Sequence, residues 1–165
     1  MTEQMAFFDL VITGTPESVQ AAISSGADAN ARNSYDKTPL MCAAEYNQHP
    51  GVITTLLEAG VDIEAWDDHG ETSLMYAAWF NRNPEVTVAF LKAGADVNVQ
   101  NDRGGTPLMY AAMYNKNPEV ITTLLTAGAD VKAKDLRGKT AFDYAQKNAR
   151  LEGTAAYRRL QEASN

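Results

Sequence analysis

A stretch of 34 residues recurs along this chain, and each copy opens with Thr and continues with Leu-Met two residues later. The opening residues of the full copies are Thr38, Thr72 and Thr106, and Thr140 opens a shorter copy at the same spacing. A fixed period of this size is typical of a helical repeat array, in which each unit buries its apolar face against its neighbours. The spacing therefore predicts an all-α solenoid.

Each copy contains the start and stop signals of two helices. Thr106-Pro107 predicts the first helix, because Thr caps free N–H groups and Pro is tolerated at the first helical position. Asn115, like Asn47 and Asn81, is predicted to end that helix in a left-handed conformation. Asn117-Pro118 opens the second helix, and Gly128 ends it. A turn rich in Asp and Gly follows.

The order of helix, turn, helix and projecting turn resembles the ankyrin repeat. The T-P-L and G-A-D-V-N signatures of that family occur as Thr38-Pro39-Leu40 and as Gly94 to Asn98. Two departures are visible: Met41, Met75 and Met109 stand where the family has His, and the unit is one residue longer than the usual ~33. The resemblance implies stacked helix pairs with short β-turn fingers that recognise other proteins.

Together the copies are predicted to form one domain, residues 1–165, with an atypical unit at each end. Residues 1–37 are predicted to be an N-terminal capping repeat, and residues 140–165 a C-terminal capping repeat, because a terminal unit has one face without a neighbour. The last unit is expected to hold helices at Thr140 to Asn148 and Thr154 to Ala163. The full repeats between the caps are 38–71, 72–105 and 106–139.

Charge is unevenly spread along the chain. The net charge is −7, which argues against a general nucleic-acid-binding protein. Residues 1–99 hold 4 basic and 14 acidic residues, a net charge of −10, whereas residues 100–165 hold 10 and 7, a net charge of +3. Such polarity is consistent with simple solubility or with steering of a charged partner. Without an apolar run that could cross a bilayer or a signal peptide, we expect a cytoplasmic protein with no membrane contact.

Residues with catalytic or metal-binding potential are few. His49 lies in an interhelix turn and His69 at a turn tip, so we expect neither a shared metal site nor a catalytic triad. The acidic residues near His69 do not have the spacing of a calcium loop and are interpreted as a solvated acidic turn; they are Asp62, Glu64, Asp67, Asp68 and Glu71. The single cysteine, Cys42, is expected to be buried in a helix. We predict no enzyme and no cofactor, with a small-molecule or metal-responsive regulator at the Asp67–His69 corner as an alternative.

Comparison of the copies with each other indicates where function resides. Positions that are identical in every copy are expected to serve packing, whereas variable positions are free of that demand. Tyr46, Phe80 and Tyr114 stay aromatic and are assigned mainly to packing between repeats. The variable positions lie in the projecting turns and at the end of the first helix, and in the ankyrin family these parts line the concave binding surface. The resemblance therefore implies a partner-binding set of Tyr35, Trp66, His69, Trp79, Arg103, Met113, Glu45 and Arg137.

Aromatic residues with Arg and Met are the composition of an interface hot spot. The predicted function is therefore non-catalytic protein–protein interaction through a rigid concave face, with both Trp66 and Trp79 pointing into the same concavity. A self-associating structural protein is the alternative from a different class, and light scattering of the pure protein would distinguish the two.

Overall fold

The computed structural model describes residues 3–164, which form ten α-helices and no strand. The predicted all-α array is confirmed, while residues 1, 2 and 165 of the predicted domain lie outside the described residues. No helix among residues 3–164 is long and apolar enough to cross a membrane. The helices are α1 Glu3–Thr13, α2 Pro16–Ser24, α3 Pro39–Tyr46, α4 Pro50–Glu58, α5 Ser73–Phe80, α6 Pro84–Lys92, α7 Pro107–Tyr114, α8 Pro118–Thr126, α9 Ala141–Ala145 and α10 Ala155–Ser164.

The helices begin and end mostly where local signals predict. The Thr38 hydroxyl accepts a hydrogen bond from the N–H of Met41 at 3.2 Å, and the Met41 sulfur accepts from the N–H of Thr38 at 3.4 Å. The thioether thus reaches the cap from the position that His takes in the typical ankyrin repeat. Gly128 has a φ of 92° after α8, a left-handed conformation that a side chain would strain.

The helices pack as two layers. The odd-numbered helices α1 to α9 contact one another in chain order, and the even-numbered helices α2 to α10 do the same. Leu40, Leu74 and Leu108 occupy matching places in the odd layer and are almost fully buried. Each pair therefore contributes a slice of one continuous core, as expected for a solenoid.

The asparagines at the ends of α3, α5 and α7 do not have the predicted left-handed conformation. Asn81 and Asn115 have φ values of −78° and −64° with extended backbone. Their side chains instead connect neighbouring pairs: Asn115 Nδ2 donates to the carbonyls of Ala78 at 2.7 Å and Asn81 at 2.9 Å. Asn81 and Asn47 make the matching bonds one and two pairs earlier, and Asn148 one pair later. We call this series the asparagine ladder.

The C-terminal pair is shorter than predicted. Its first helix covers only Ala141–Ala145 instead of Thr140 to Asn148, although Thr140 caps the helix and the Asp143 carboxylate accepts a bond from the Thr140 N–H. The chain then passes through turns to α10, where Leu160 is fully buried and Tyr157 packs against Phe142. The shorter helix has a physical reason, because Asn148 leaves the helical path to join the asparagine ladder.

Candidate functional site

The odd-numbered helices and the turns that precede them form one surface, which we call the inner face. A side-chain oxygen braces each turn by accepting two backbone N–H groups. Asp67 Oδ1, for example, accepts from the N–H groups of His69 at 2.9 Å and Glu71 at 3.0 Å. The same pair of bonds is made in the other turns by Asn33, Asn101 and Asp135. The turns are therefore held in shape before any partner binds.

A second bond ties these bracing residues to the following inner helix. The Tyr76 hydroxyl donates to Asp67 Oδ2 at 2.7 Å, and the Tyr144 hydroxyl donates to Asp135. Burial, together with Asp135, raises the pKa of Tyr144 to about 12. Because the tyrosines stay protonated at neutral pH, they remain donors, and the turns keep a fixed position relative to the helices.

The third turn is joined to the second through a buried carboxylate. Glu71 Oε1 accepts from the Tyr110 hydroxyl at 2.5 Å and from Asn101 Nδ2 at 2.8 Å, whereas Glu71 Oε2 has no hydrogen-bond partner in the described part of the chain. Burial raises the pKa of Glu71, and the bonds from Tyr110 and Asn101 partly oppose that rise.

Four aromatic rings lie side by side at the middle of the inner face. The Trp79 ring stacks on Phe80, Tyr110 and Tyr114, with centroid distances of 4.5, 4.8 and 5.1 Å and interplanar angles of 14° to 17°. Trp79 itself is half-buried, while Phe80 and Tyr114 expose 42% and 48% of their surface. We call this group the aromatic shelf.

The shelf corrects one prediction from the sequence. Tyr46, Phe80 and Tyr114 are predicted to serve mainly packing between repeats, and Tyr114 does stack on Trp79 of the preceding repeat. All three are nevertheless exposed, and Tyr46 exposes 54% of its surface. The three copies keep an aromatic at this position on the inner face itself. In the sequence, this surface is indicated by an aromatic residue that every full repeat keeps, directly after a variable position at the end of the first helix.

A cleft of about 420 Å³ lies between the shelf and the last two turns. We call it the C-terminal cleft. It includes Trp79, Arg103, Met113 and Arg137 of the predicted set, and it adds Leu136, which is 80% exposed and was not predicted. The remaining lining residues are Met109, Tyr110, Tyr114, Asp135 and Tyr144.

A second cleft, of about 530 Å³, lies between the first two turns and α3, and we call it the N-terminal cleft. Its lining includes Tyr35, which is 72% exposed, and the exposed His69. Asp68 Oδ1 lies 2.7 Å from His69 Nδ1, and this bond, with the negative charge of Asp68, raises the pKa of His69. Apart from Trp66, the residues of the predicted binding set thus line two clefts.

Glu45, which is predicted to contact a partner, lines the N-terminal cleft but is buried. Only 8% of its surface is exposed, and its Oε2 lies 2.7 Å from Lys37 Nζ. The same ammonium lies 4.0 Å from the centre of the Tyr76 ring. In this copy Lys37 supplies the charge with which Glu45 pairs.

Trp66 is 65% exposed, as predicted, but it is not among the residues that line either cleft. Its carbonyl accepts a hydrogen bond from Arg32 Nη1 at 2.8 Å, and its backbone forms an antiparallel bridge with Thr72. Trp79 lines the C-terminal cleft and Trp66 lines neither cleft, so the orientation of both tryptophans into one concavity stays a prediction.

Asp67, Asp68 and His69 place their ligand atoms within 4.8 Å of one another. The two oxygens of Asp67 already accept bonds from the turn N–H groups and from Tyr76. A cation bound there would compete with the bonds by which Asp67 braces the turn.

The outer helices form a larger cleft of about 640 Å³ between α4 and α6. It is lined by aliphatic and polar side chains such as Leu57, Val88 and Glu85, with no aromatic ring among its lining residues. Aromatic anchors dominate the energy of protein interfaces, so we place the candidate site on the inner face in spite of the smaller volume there.

Comparison with known protein families agrees with the repeat pattern. A family model described as ankyrin repeats (3 copies) matches residues 7–101 and again residues 74–156, which together cover most of the chain. Ankyrin repeats are generally protein–protein interaction modules and are typically non-catalytic. A search of curated proteins found no match.

Proposed function

Because this chain belongs to the ankyrin-repeat family, we propose that it is a non-catalytic interaction module that binds a protein partner through its inner face. The partner contacts the aromatic shelf and the C-terminal cleft, and no bond of the partner is made or broken. Of the residues first predicted, Trp79, Arg103, Met113 and Arg137 are central to this proposal, with Tyr35 and His69 at the other end of the same face.

The exposed aromatic shelf is the observation that carries the proposal. Exposed aromatic rings of this size are enriched at the centres of interfaces, where each buries a large area with few side-chain torsions to restrict. Phe80 and Tyr114 keep roughly half of their surface in water although both stack on Trp79. A partner that covers the shelf would remove this apolar surface from water.

The bracing of the turns supports the same conclusion. A face that is already ordered loses little conformational entropy when a partner binds, so more of the contact energy contributes to affinity. Asp67 and Asp135 each hold their turn by two backbone bonds and one tyrosine bond.

Affinity capture with the purified protein tests the proposal, with Trp79→Ala as the test variant and Trp66→Ala as the matched control. Both changes remove an indole, but only Trp79 belongs to the shelf. We expect a partner to bind the wild type and Trp66→Ala with similar affinity. Binding of the same partner to Trp79→Ala should be weaker by about 2 kcal/mol or more. Circular dichroism verifies that each variant is folded. If the wild type and Trp79→Ala retain a partner equally well, the binding surface does not include the shelf.

A further inference from the structure

We propose that the part of the partner that enters the C-terminal cleft is an acidic segment with an apolar side chain as its anchor. The proposal rests on the proposed function and adds the chemistry of the bound element. Its two observations are the unpaired cations around this cleft and the apolar surface between them.

Arg103 and Arg137 are exposed on the last two turns that line the cleft. The ion pairs among residues 3–164 are Arg32–Asp36, Lys37–Glu45 and Asp68–His69, so neither cleft arginine is in one. Arg82 and Lys116 are also exposed, next to Phe80 and Tyr114 in the adjoining groove, and they too lack an ion pair in the described part of the chain. Cations therefore surround the shelf on this side.

The acidic group of the last turn, Asp135, is already committed. Asp135 accepts two turn N–H groups and the Tyr144 hydroxyl, so its oxygens are directed into its own turn. The carboxylate of Asp102 packs against Gly70 of the preceding turn. The guanidinium groups are thus left to a carboxylate from outside, which Arg binds with two parallel hydrogen bonds.

Apolar surface lies directly between these cations. Leu136 is 80% exposed at the tip of the last turn, and its N–H donates to the Arg103 carbonyl at 3.0 Å, which fixes it beside Arg103. Met113 and Tyr114 line the same cleft. An aliphatic or aromatic side chain flanked by Asp or Glu matches this arrangement of apolar centre and cationic rim.

The N-terminal cleft has the opposite character and sets the direction of binding. Asp67 and Asp68 line it, and Lys37 is paired with Glu45. The first 99 residues carry a net charge of −10. An acidic segment is therefore repelled from the first two turns and held at the last two. The same negative charge disfavours nucleic acid, because a strand that extends beyond the C-terminal cleft would bring its phosphates close to the acidic first repeats.

A selection from a random peptide library displayed on phage tests the proposal. Peptides of about twelve residues reach about 40 Å when extended, enough to cross the cleft and the shelf. We expect the enriched peptides to be acidic around a Leu, Phe or similar anchor. Their affinities are then measured by fluorescence anisotropy with the wild type and with designed variants.

The matched variants are the double changes Arg103→Glu/Arg137→Glu and Arg158→Glu/Arg159→Glu. Both change the net charge equally, and Arg158 and Arg159 are exposed on α10, outside the residues that line the cleft. We expect the cleft variant to weaken peptide binding about tenfold or more and the α10 variant to change it by less than about twofold at physiological salt.

Different failures have different meanings. The acidic assignment is overturned if the enriched peptides are basic or neutral, or if acidic peptides bind equally well to Arg103→Glu/Arg137→Glu. If such peptides still lose their binding with Trp79→Ala, the proposed function is supported even though the acidic assignment is wrong. Binding that is unaffected by Trp79→Ala contradicts the proposed function itself. A selection that enriches no peptide overturns the inference that a short segment is sufficient. Binding of a single-stranded thymidine oligonucleotide with the same arginine dependence, in place of acidic peptides, assigns the cleft to nucleic acid.

Discussion

At the scale of the residue, Cys42 shows how burial controls reactivity. Its side chain is almost fully buried, as predicted, and burial raises the pKa of the thiol from 9.0 to about 11. Because the thiolate is the reactive form, we expect a thiol reagent to modify Cys42 slowly in the native protein and quickly in urea. The double variant Cys42→Ser/Ser34→Cys, which moves the thiol to an exposed turn position, should react quickly in both. Equal native and unfolded rates for the wild type would contradict burial.

The raised thiol pKa also has a consequence for stability. Below about pH 9 the thiol is protonated in both states, whereas between pH 9.0 and about 11 it ionises only when the chain is unfolded. The contribution of Cys42 to stability is therefore lost as the pH rises through this window.

Glu71 gives a second prediction at the residue scale. Burial raises its pKa above 4.5, so its contribution to stability is present at lower pH and is lost as the pH rises through the folded pKa. Glu71→Gln removes this titration, so the free energy of unfolding of the variant relative to the wild type should increase from about pH 4 to about pH 7. Urea titrations at both pH values measure it, and other titrating groups cancel in the comparison. A difference that does not change with pH would show that Glu71 ionises equally in both states.

At the scale of the element, the asparagine ladder joins successive helix pairs. Asn115 is 1% exposed and donates to two carbonyls near the end of α5. Asn115→Ala should cost about 1–3 kcal/mol in the free energy of unfolding, because it leaves these buried carbonyls without a donor. Asn30→Ala, at an exposed position, should change it by less than about 0.5 kcal/mol. Similar effects in urea titrations of the two variants would mean that the ladder contributes little to stacking.

At the scale of the whole molecule, stability is a sum over neighbouring pairs. Leu108 lies in α7, which packs on α5, α8 and α9, and it is fully buried. Leu108→Ala should therefore cost about 2–5 kcal/mol in a denaturant titration. The matched change Leu136→Ala removes a leucine that is 80% exposed and should cost less than about 0.5 kcal/mol. A decrease in the free energy of unfolding of less than about 1 kcal/mol for Leu108→Ala would show that Leu108 is not part of the core.

Much of the fold could be predicted because its signals are local. The Thr-Pro starts, the Asn-Pro starts and the Gly ends each act within one turn of helix, and the period of 34 residues repeats them. The candidate site was predicted less well. Trp79, Arg103, Met113 and Arg137 meet in one cleft, but Glu45 is buried, and Phe80, Tyr114 and Leu136 were missing from the set.

The sequence by itself determined that helix pairs form and that they stack in order. A cap or a left-handed glycine is set by a few bonds within one segment, so the residues of that segment are sufficient to predict it. The tertiary structure alone decided which aromatic side chains remain in water, which residue pairs with Glu45 and which carbonyls accept hydrogen bonds from Asn115. Each of these depends on atoms from another segment: Tyr114 meets Trp79, Lys37 reaches Glu45, and Asn115 reaches Ala78. Burial and hydrogen bonding across repeats are properties of the stack, so they are determined only when the neighbouring unit is in place.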